Sequence, residues 1–253
     1  MVTLLLATRN AHKTEEIRAM LGDQFRLLTL NDFPAAPSVT EDAGSFAGNA
    51  TKKAVALAHW LSLARPPTLA PPDSGLWTPD SGLSLPRPST PDTRPSPATF
   101  VLADDSGLEV DALGGAPGVY SARFAATDAP LAGNSPDSAN NAKLLPLLED
   151  IPLEKRTARF RCVLALTPVL RSLDKSASPV CYTDEFELQT ELFEGVCEGR
   201  IGFAPRGQNG FGYDPLFIPL GHDQTFAELG EAVKNQLSHR AKALAKLKQR
   251  LSQ

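Results

Sequence analysis

The sequence predicts an α/β fold, because short apolar runs of strand length alternate with segments that have helical periodicity. Residues 2–7 and 100–103 are such runs, and residues 11–21 place Ile17, Met20 and Leu21 at helical spacing. With 253 residues, 42% hydrophobic and 21% charged, the chain resembles an ordinary globular protein that buries a sizeable core. Residues 1–253 are therefore predicted to form a single domain.

Composition excludes several classes of function. A formal net charge of -4 argues against sequence-independent nucleic-acid binding, which relies on many Lys and Arg contacts to phosphate. No apolar run approaches the ~20 residues that span a bilayer, and the first residues lack a basic signal-peptide region, so a cytoplasmic protein without a membrane partner is expected. The three cysteines, Cys162, Cys181 and Cys197, match neither a disulfide framework nor a metal spacing, which predicts buried or idle thiols.

The first candidate binding element is the loop between the first strand and the first helix. Asn10 is a predicted helix N-cap, and Glu15 and Glu16 suit the first helical turn. Free backbone N–H groups at such a helix start suit a phosphate, and Lys13 adds a positive charge. The alternative is a capped helix with a surface lysine.

A second helix is predicted over residues 46–63, with apolar side chains and Lys53 at helical intervals. The preceding loop contains Glu41 and Asp42 and ends in Ser45, a predicted cap. These acids either complement the helix dipole or place a second carboxylate near a metal.

Residues 65–98 form a proline-rich segment that is predicted to be a mobile insertion. Ten of the 22 prolines lie there, and such a composition buries too little apolar area to offset its ordering entropy. The segment holds two DSGL tetrapeptides, which begin at Asp73 and Asp80. Neither follows a predicted strand, so both are predicted to be non-functional copies of a third DSGL that begins at Asp105.

The third copy lies in the most informative stretch, residues 100–125. Here the predicted strand 100–103 ends in Asp104, Asp105 and Ser106, followed by Gly107. Such an arrangement places hard oxygen ligands at a cleft, although an acidic turn that closes an edge strand is the alternative. Since successive strand residues point to opposite faces, one aspartate is expected to enter the site and the other to support the backbone.

The remaining elements follow in order. A helix is predicted over residues 139–148, strands over 156–169 and 180–193, a glycine-rich region over 195–219, and a helical region over 231–251. In the glycine-rich region, Phe211 and Tyr213 either stack on a planar base or fold into the core. The last region brings Ser238, His239 and Arg240 together where a helix begins.

Four motifs in this order resemble the inosine triphosphate pyrophosphatase family. They are ATRNAHK at 7–13, ADDSGLEVDALGGAPGVYSAR at 103–123, GFGYDPLF at 210–217 and SHR at 238–240. The resemblance spans the chain apart from the proline-rich insertion and a longer stretch near 171–183. Arg9 stands where the family often has glycine, and the loop after Glu41 also departs from the family pattern.

The resemblance implies a Mg²⁺-dependent hydrolase that converts ITP, dITP or XTP and water to the monophosphate and pyrophosphate, removing these nucleotides from the pool. It implies a long mixed β-sheet flanked by helices in two lobes with a central cleft, and a homodimer. Asp105 would be the catalytic base or the group that orients the water, with Glu41 and Asp105 as metal ligands. The implied substrate-binding residues are Thr8, Arg9, Asn10, Ala11, His12, Lys13, Ser106, Phe211, Gly212, Tyr213, Asp214, Lys234, His239 and Arg240. Two alternatives remain: a related pyrophosphatase for modified pyrimidine or other nucleotides, and a nucleotide sensor without turnover.

Overall fold

The computed structural model describes residues 1–64, 99–126, 133–170 and 185–252. Across these ranges the chain forms one mixed sheet of six strands in the order β2-β1-β3-β4-β5-β6. Strand β1 is parallel to β2 and β3, and the pairs from β3 through β6 are antiparallel. The strands are β1 Thr3–Leu6, β2 Arg26–Thr29, β3 Thr99–Val110, β4 Thr157–Pro168, β5 Glu191–Ile201 and β6 Phe217–Pro219.

Helices flank the sheet, as the α/β prediction requires. Helix α2 packs on one face of the parallel end, and α1 and α7 pack on the opposite face. A third cluster of buried side chains lies around the antiparallel half, so the long mixed sheet flanked by helices that the resemblance implied is confirmed. The helices are α1 Ala11–Leu21, α2 Phe46–Ala64, α3 Asp137–Leu144, α4 Glu185–Leu188, α5 Phe226–Leu229, α6 Glu231–Leu237 and α7 His239–Leu251.

Strand β3 does not end before the aspartates, and this corrects the sequence prediction. Pairing with β1 stops at Leu102, whereas pairing with β4 continues through Val110. The antiparallel ladder therefore carries the acidic residues as strand residues despite their low strand propensity. Asp104 and Asp105 lie just past the end of β1, where the sheet leaves a gap on that side of β3.

The strand predicted at 180–193 is also corrected. Residues 185–188 form helix α4, and β5 begins only at Glu191 and continues to Ile201, inside the predicted glycine-rich region. Pairing of β5 with the long strand β4 outweighs the weak strand preference of Gly195 and Gly199. The predicted C-terminal helical region is two helices, since Ser238 ends α6 and caps α7.

Several sequence predictions concern residues outside the described ranges, namely the whole insertion 65–98 with Asp73 and Asp80, and Cys181. Within the described ranges, Cys162 and Cys197 are buried free thiols, as predicted. No helix in those ranges has both the length and the apolar character needed to cross a membrane.

Candidate active site

A cavity of about 510 Å³ opens at the gap beside β3. Its wall combines the loop before α1, the loop before α2, the middle of β3, the glycine-rich turn before β6 and the start of α7. Most of the residues predicted to bind substrate or metal line this cavity. They are Thr8, Arg9, Asn10, Lys13, Glu41, Asp105, Ser106, Phe211, Gly212, Tyr213, Asp214, Lys234, His239 and Arg240. The fold therefore brings residues from both ends of the chain to one site.

Asp105 lies on the α2 side of the cavity. Asn49, fully buried on α2, donates its amide Nδ2 to Asp105 Oδ2 at 3.0 Å. The backbone N–H of Ala43 in turn donates to Asn49 Oδ1 at 2.9 Å, so the loop that contains Glu41 is tied to the same amide. One Asp105 oxygen is thereby held in place, and Oδ1 is directed toward Lys53.

Lys53 lies between the two candidate metal ligands. Its Nζ is 3.4 Å from Glu41 Oε1 and 3.7 Å from Asp105 Oδ1, and it donates to the backbone carbonyl of Asp104 at 2.7 Å. Burial raises the pKa of Asp105 above its ordinary value, although Lys53 and Lys13 oppose the shift. A carboxylate with a raised pKa is better suited to accept a proton from water than an ordinary aspartate.

The donor set tests whether a Mg²⁺ ion fits here. The described residues contain no cluster of three or more His, Cys, Asp or Glu side chains able to hold a metal. Glu41 and Asp105 form a pair instead, with the ammonium of Lys53 between them. Mg²⁺ often binds proteins through only one or two carboxylates and takes its other ligands from phosphate and water, so the pair fits an ion that arrives with a nucleotide.

Asp104 faces the opposite side of β3, as strand alternation predicts, and yet it also lines the cavity. The expectation that one aspartate would merely support the backbone is therefore wrong. Asp104 accepts hydrogen bonds from Lys13 at 2.5 Å, from Ser106 Oγ at 2.9 Å and from Arg240 Nε at 2.9 Å. Burial opposes its charge, but Arg240 and Lys13 outweigh this and hold its pKa well below the ordinary value.

The loop before α1 has the predicted cap. Asn10 Oδ1 accepts the N–H of Lys13 at 3.1 Å, and Thr8 Oγ1 accepts the N–H of Asn10 at 3.1 Å. These two amides are thus already bonded, which narrows the predicted set of free phosphate-binding N–H groups. Arg9 donates to the carbonyl of Ala36 at 3.4 Å at the cavity wall.

Ala11 and His12 occupy the exposed first turn of α1. The imidazole of His12 stacks on the ring of Phe211, with centroids 5.4 Å apart and planes 15° from parallel. In the structure, His12 therefore contacts the candidate base-binding ring.

Phe211 lies next to two cations. Lys234 Nζ is 4.4 Å from its ring centroid and Arg240 Cζ is 5.9 Å away. Asp214, itself buried, accepts from the N–H of Phe211 at 2.9 Å and from Lys234 at 2.5 Å. Gly210 is required in this turn, because it has a φ of 76° and a Cβ there would lie 2.1 Å from Asp214 Oδ2.

Tyr213 has a different role from Phe211. The side chain is buried among the apolar residues of the antiparallel half, and its hydroxyl donates to the carbonyl of Ser121 at 2.9 Å. Of the two predicted readings for these aromatics, core packing applies to Tyr213, whereas Phe211 faces the cavity. Gly212 donates its N–H to Asp137 at 2.6 Å, which ties the turn to α3.

His239 is buried and stacks on Phe160 at 4.9 Å between ring centroids. Burial, assisted by the nearby charges of Arg240 and Lys234, lowers the pKa of His239 well below its ordinary value, so the imidazole is neutral. Among the described residues none hydrogen-bonds its buried Nδ1. Since buried polar atoms are nearly always paired, this nitrogen is a candidate ligand contact.

Sequence reasoning missed three supporting residues. Lys53 and Asn49 are polar side chains on the buried face of α2, and that placement within an apolar helical pattern is the sequence signal for them. Glu16 was predicted to serve the dipole of α1, but it instead pairs with Lys234 at 2.6 Å and with Arg240. No sequence signal identifies those partners, which lie more than 200 residues away.

Comparison with known proteins identifies the family of this chain. The family model described as the Ham1 family matches residues 4–85 and 90–250. The chain belongs to the Ham1 family. It is 42% identical over 252 residues to the dITP/XTP pyrophosphatase of Geobacter sulfurreducens, covering 99% of this chain and 97% of that protein. The corresponding enzyme of Shouchella clausii is 39% identical over 246 residues, covering 97% and 94%.

Solved structures of the family share the fold. A HAM1 protein from Coxiella burnetii superposes with a TM-score of 0.69 at 31% identity and covers 100% of this chain and 99% of its own. A nucleoside-triphosphatase (dITP/XTP pyrophosphatase) from Mycobacterium abscessus gives 0.62 at 33% identity, covering 97% and 98%. The mixed sheet with flanking helices is thus a property of the family.

Proposed function

We propose that this Ham1 protein hydrolyses ITP, dITP and XTP to the nucleoside monophosphate and pyrophosphate, removing these nucleotides from the pool. The observation that carries the proposal is a single cavity with two chemically different ends. One end has the carboxylates of Glu41 and Asp105, and the other has the Phe211 ring beside Lys234 and Arg240. Relatives that match nearly the whole chain bear the name dITP/XTP pyrophosphatase.

At the acidic end, Glu41 and Asp105 would hold Mg²⁺, which supplies charge neutralisation to the phosphates when bound. Asp105 is the proposed base, which takes a proton from the attacking water. Asn49 holds one of its oxygens, and the other lies 3.7 Å from Lys53 Nζ. Lys53 contributes a positive charge next to the same carboxylates and limits their mutual repulsion.

The phosphates are proposed to bind between the loop before α1 and strand β3. Lys13 is part-buried at the cavity wall and offers N–H donors beyond the one that Asp104 takes. Ser106, Thr8, Asn10 and Arg9 line the same part of the wall, and Ala11 and His12 continue the loop. Charge that develops on the phosphoryl oxygens in the transition state is stabilised by such fixed donors.

The base is proposed to lie at Phe211, in a pocket that Gly212, Tyr213 and Asp214 shape. Lys234, His239 and Arg240 line this end and supply N–H donors. A 6-keto purine presents an acceptor to them, whereas the 6-amino group of adenine presents a donor and leaves them unpaired. That contrast favours inosine and xanthosine nucleotides over ATP.

The direct test is a product assay with ITP, XTP, GTP and ATP in the presence of Mg²⁺. We expect pyrophosphate, not orthophosphate, as the first product from ITP and XTP. EDTA is expected to abolish turnover and excess Mg²⁺ to restore it. Binding of ITP without turnover would indicate the sensor instead, and preferential hydrolysis of a modified pyrimidine nucleotide would indicate the related pyrophosphatase.

A homodimer is proposed through the sheet face that continues beyond α2. That face carries paired charges on β3, β4 and β5, including Glu109, Arg161 and Glu194. A cleft of about 580 Å³ lies beside it, and the nearby Tyr120 side chain is 51% exposed. A protruding side chain and a cleft on one surface allow the self-complementary contact of a twofold dimer.

Light scattering tests this assembly. We expect a mass of twice the 27.0 kDa of the chain, and we expect Tyr120→Asp to shift the protein toward the single-chain mass. A wild-type protein that stays at the single-chain mass would rule out the dimer.

We further propose a cytoplasmic location. Cys162 and Cys197 are free thiols, and burial raises the pKa of Cys197 to about 11, so it is unreactive at neutral pH. Unpaired thiols suit a reducing compartment, where the nucleotide substrates would also be found.

A further inference from the structure

Asp104 is the most highly connected side chain of the cavity, yet the proposed reaction assigns it no step. It is 3% exposed, and both carboxylate oxygens are occupied. Oδ1 accepts from Lys13 at 2.5 Å and from Ser106 at 2.9 Å. Oδ2 accepts from Arg240 Nε at 2.9 Å and from the thiol of Cys162 at 3.3 Å.

The two cations on this carboxylate come from two different helices. Lys13 comes from α1 and faces the proposed phosphate position, whereas Arg240 comes from α7 and lies near the Phe211 ring. Both helices pack on the same face of the sheet, and Asp104 is the β3 residue that both cations contact. Arg240 is almost fully buried, so the orientation of its guanidinium depends on its acceptors, Asp104, Glu16 and Ser106.

We propose that Asp104 is a positioning residue that directs Arg240 toward the purine base and Lys13 toward the phosphates. This inference rests on the proposed function and deepens it, since it names a determinant of base selectivity that does not itself contact the base. Lys13 donates to Oδ1, whereas Arg240 contacts both oxygens, with Nε on Oδ2 at 2.9 Å and Nη2 on Oδ1 at 3.5 Å.

Substitution of Asp104 by asparagine tests this positioning role. Asp104→Asn keeps the shape but replaces one acceptor oxygen with an NH₂ donor and removes the charge shared by two buried cations. Arg240 then keeps its contact with Glu16 but loses the charged acceptor of its Nε, so its orientation changes. We expect kcat/KM for ITP to fall about tenfold more than kcat/KM for ATP, so that the ITP/ATP ratio narrows about tenfold. A merely structural defect would lower kcat/KM for both substrates by the same factor.

Asp111→Asn is the matched control, because Asp111 follows β3 directly but pairs with Arg159 on the surface. We expect its ITP/ATP ratio to equal that of the wild type. Circular dichroism verifies that each variant is folded. If the Asp104→Asn protein is folded and keeps the wild-type ratio, the inference is overturned.

A second comparison applies if Asp104→Asn alone does not fold. The double variant Lys13→Met/Asp104→Asn removes one positive and one negative charge together, so the buried network stays balanced. Lys13→Met alone leaves Asp104 to hold Arg240, and we expect it to slow ITP and ATP equally. The double variant is expected to narrow the ITP/ATP ratio, and equal ratios in the two variants would contradict the inference. Failure of the proposed function can be told apart from failure of this inference. In the first case the wild-type enzyme itself shows no preference for ITP.

Discussion

Asp105→Asn is expected to lower the rate of ITP hydrolysis by about a hundredfold or more. The substitution keeps the shape of the side chain, and Asn49 can still donate to its amide oxygen. It removes the charge that the metal requires and the basic oxygen that accepts a proton from water. The measurement is steady-state pyrophosphate release at saturating Mg²⁺, with folding verified by circular dichroism.

The chain supplies its own controls for this experiment. Asp73 and Asp80 begin the same DSGL tetrapeptide within the proline-rich segment. We expect Asp73→Asn and Asp80→Asn to retain wild-type rates, because a tetrapeptide has no activity without the strand and helix that position it. Near-normal hydrolysis by Asp105→Asn, or a large loss in either control, would refute the assignment of the base.

The second large effect is expected in the selectivity of the enzyme for the base of the nucleotide. The wild-type enzyme is expected to favour ITP and XTP over ATP by about a hundredfold or more in kcat/KM, since a site built to bond a polar group leaves donors unpaired when that group is wrong. Arg240→Ala should lower kcat/KM for ITP by a larger factor than kcat/KM for ATP, so that the ITP/ATP ratio narrows. GTP shares the 6-keto group, so this contrast concerns ATP alone. Substrate-panel kinetics measure both quantities.

Lys13→Ala provides the contrasting variant. Its ammonium lies at the proposed phosphate end, so we expect it to slow all triphosphates by a similar factor. Comparable ATP and ITP turnover by the wild-type protein, or orthophosphate as the first product, would contradict the proposed pocket. A Lys13→Ala protein that loses only ITP activity would reverse the assignment of the two ends.

Local patterns in the sequence were sufficient for most of the framework. Helical spacing predicted α1 at its observed bounds and α2 to within one residue, because each helix buries one periodic face against the sheet. Asn10 and Ser238 were recognisable as a cap and a helix start, since capping is a contact between near neighbours. The four motifs contain every predicted site residue except Glu41 and Lys234.

Local patterns did not predict where the strands end. Strand β3 continues through Asp104, Asp105 and Ser106 because β4 pairs with it, and β5 extends past Gly195 for the same reason. The partner strand lies about 60 residues further along the chain for β3 and about 30 residues earlier for β5, and its hydrogen bonds stabilise a strand where local propensity disfavours one. The helix at 185–188, where a strand was predicted, is another outcome that local propensity did not predict.

The sequence by itself determined which residue types are available for the site: two adjacent aspartates, the Lys13 loop, the aromatic turn and the Ser-His-Arg cluster. Only the tertiary structure decided which of these residues contact one another. It set Asp105 beside Asn49 and Lys53, set Asp104 between Lys13 and Arg240, and turned Tyr213 inward while Phe211 faces the cavity. The physical reason is that these charges and hydrogen bonds depend on distances of a few ångströms between residues up to 136 positions apart, and only packing of the helices on the sheet brings such residues together.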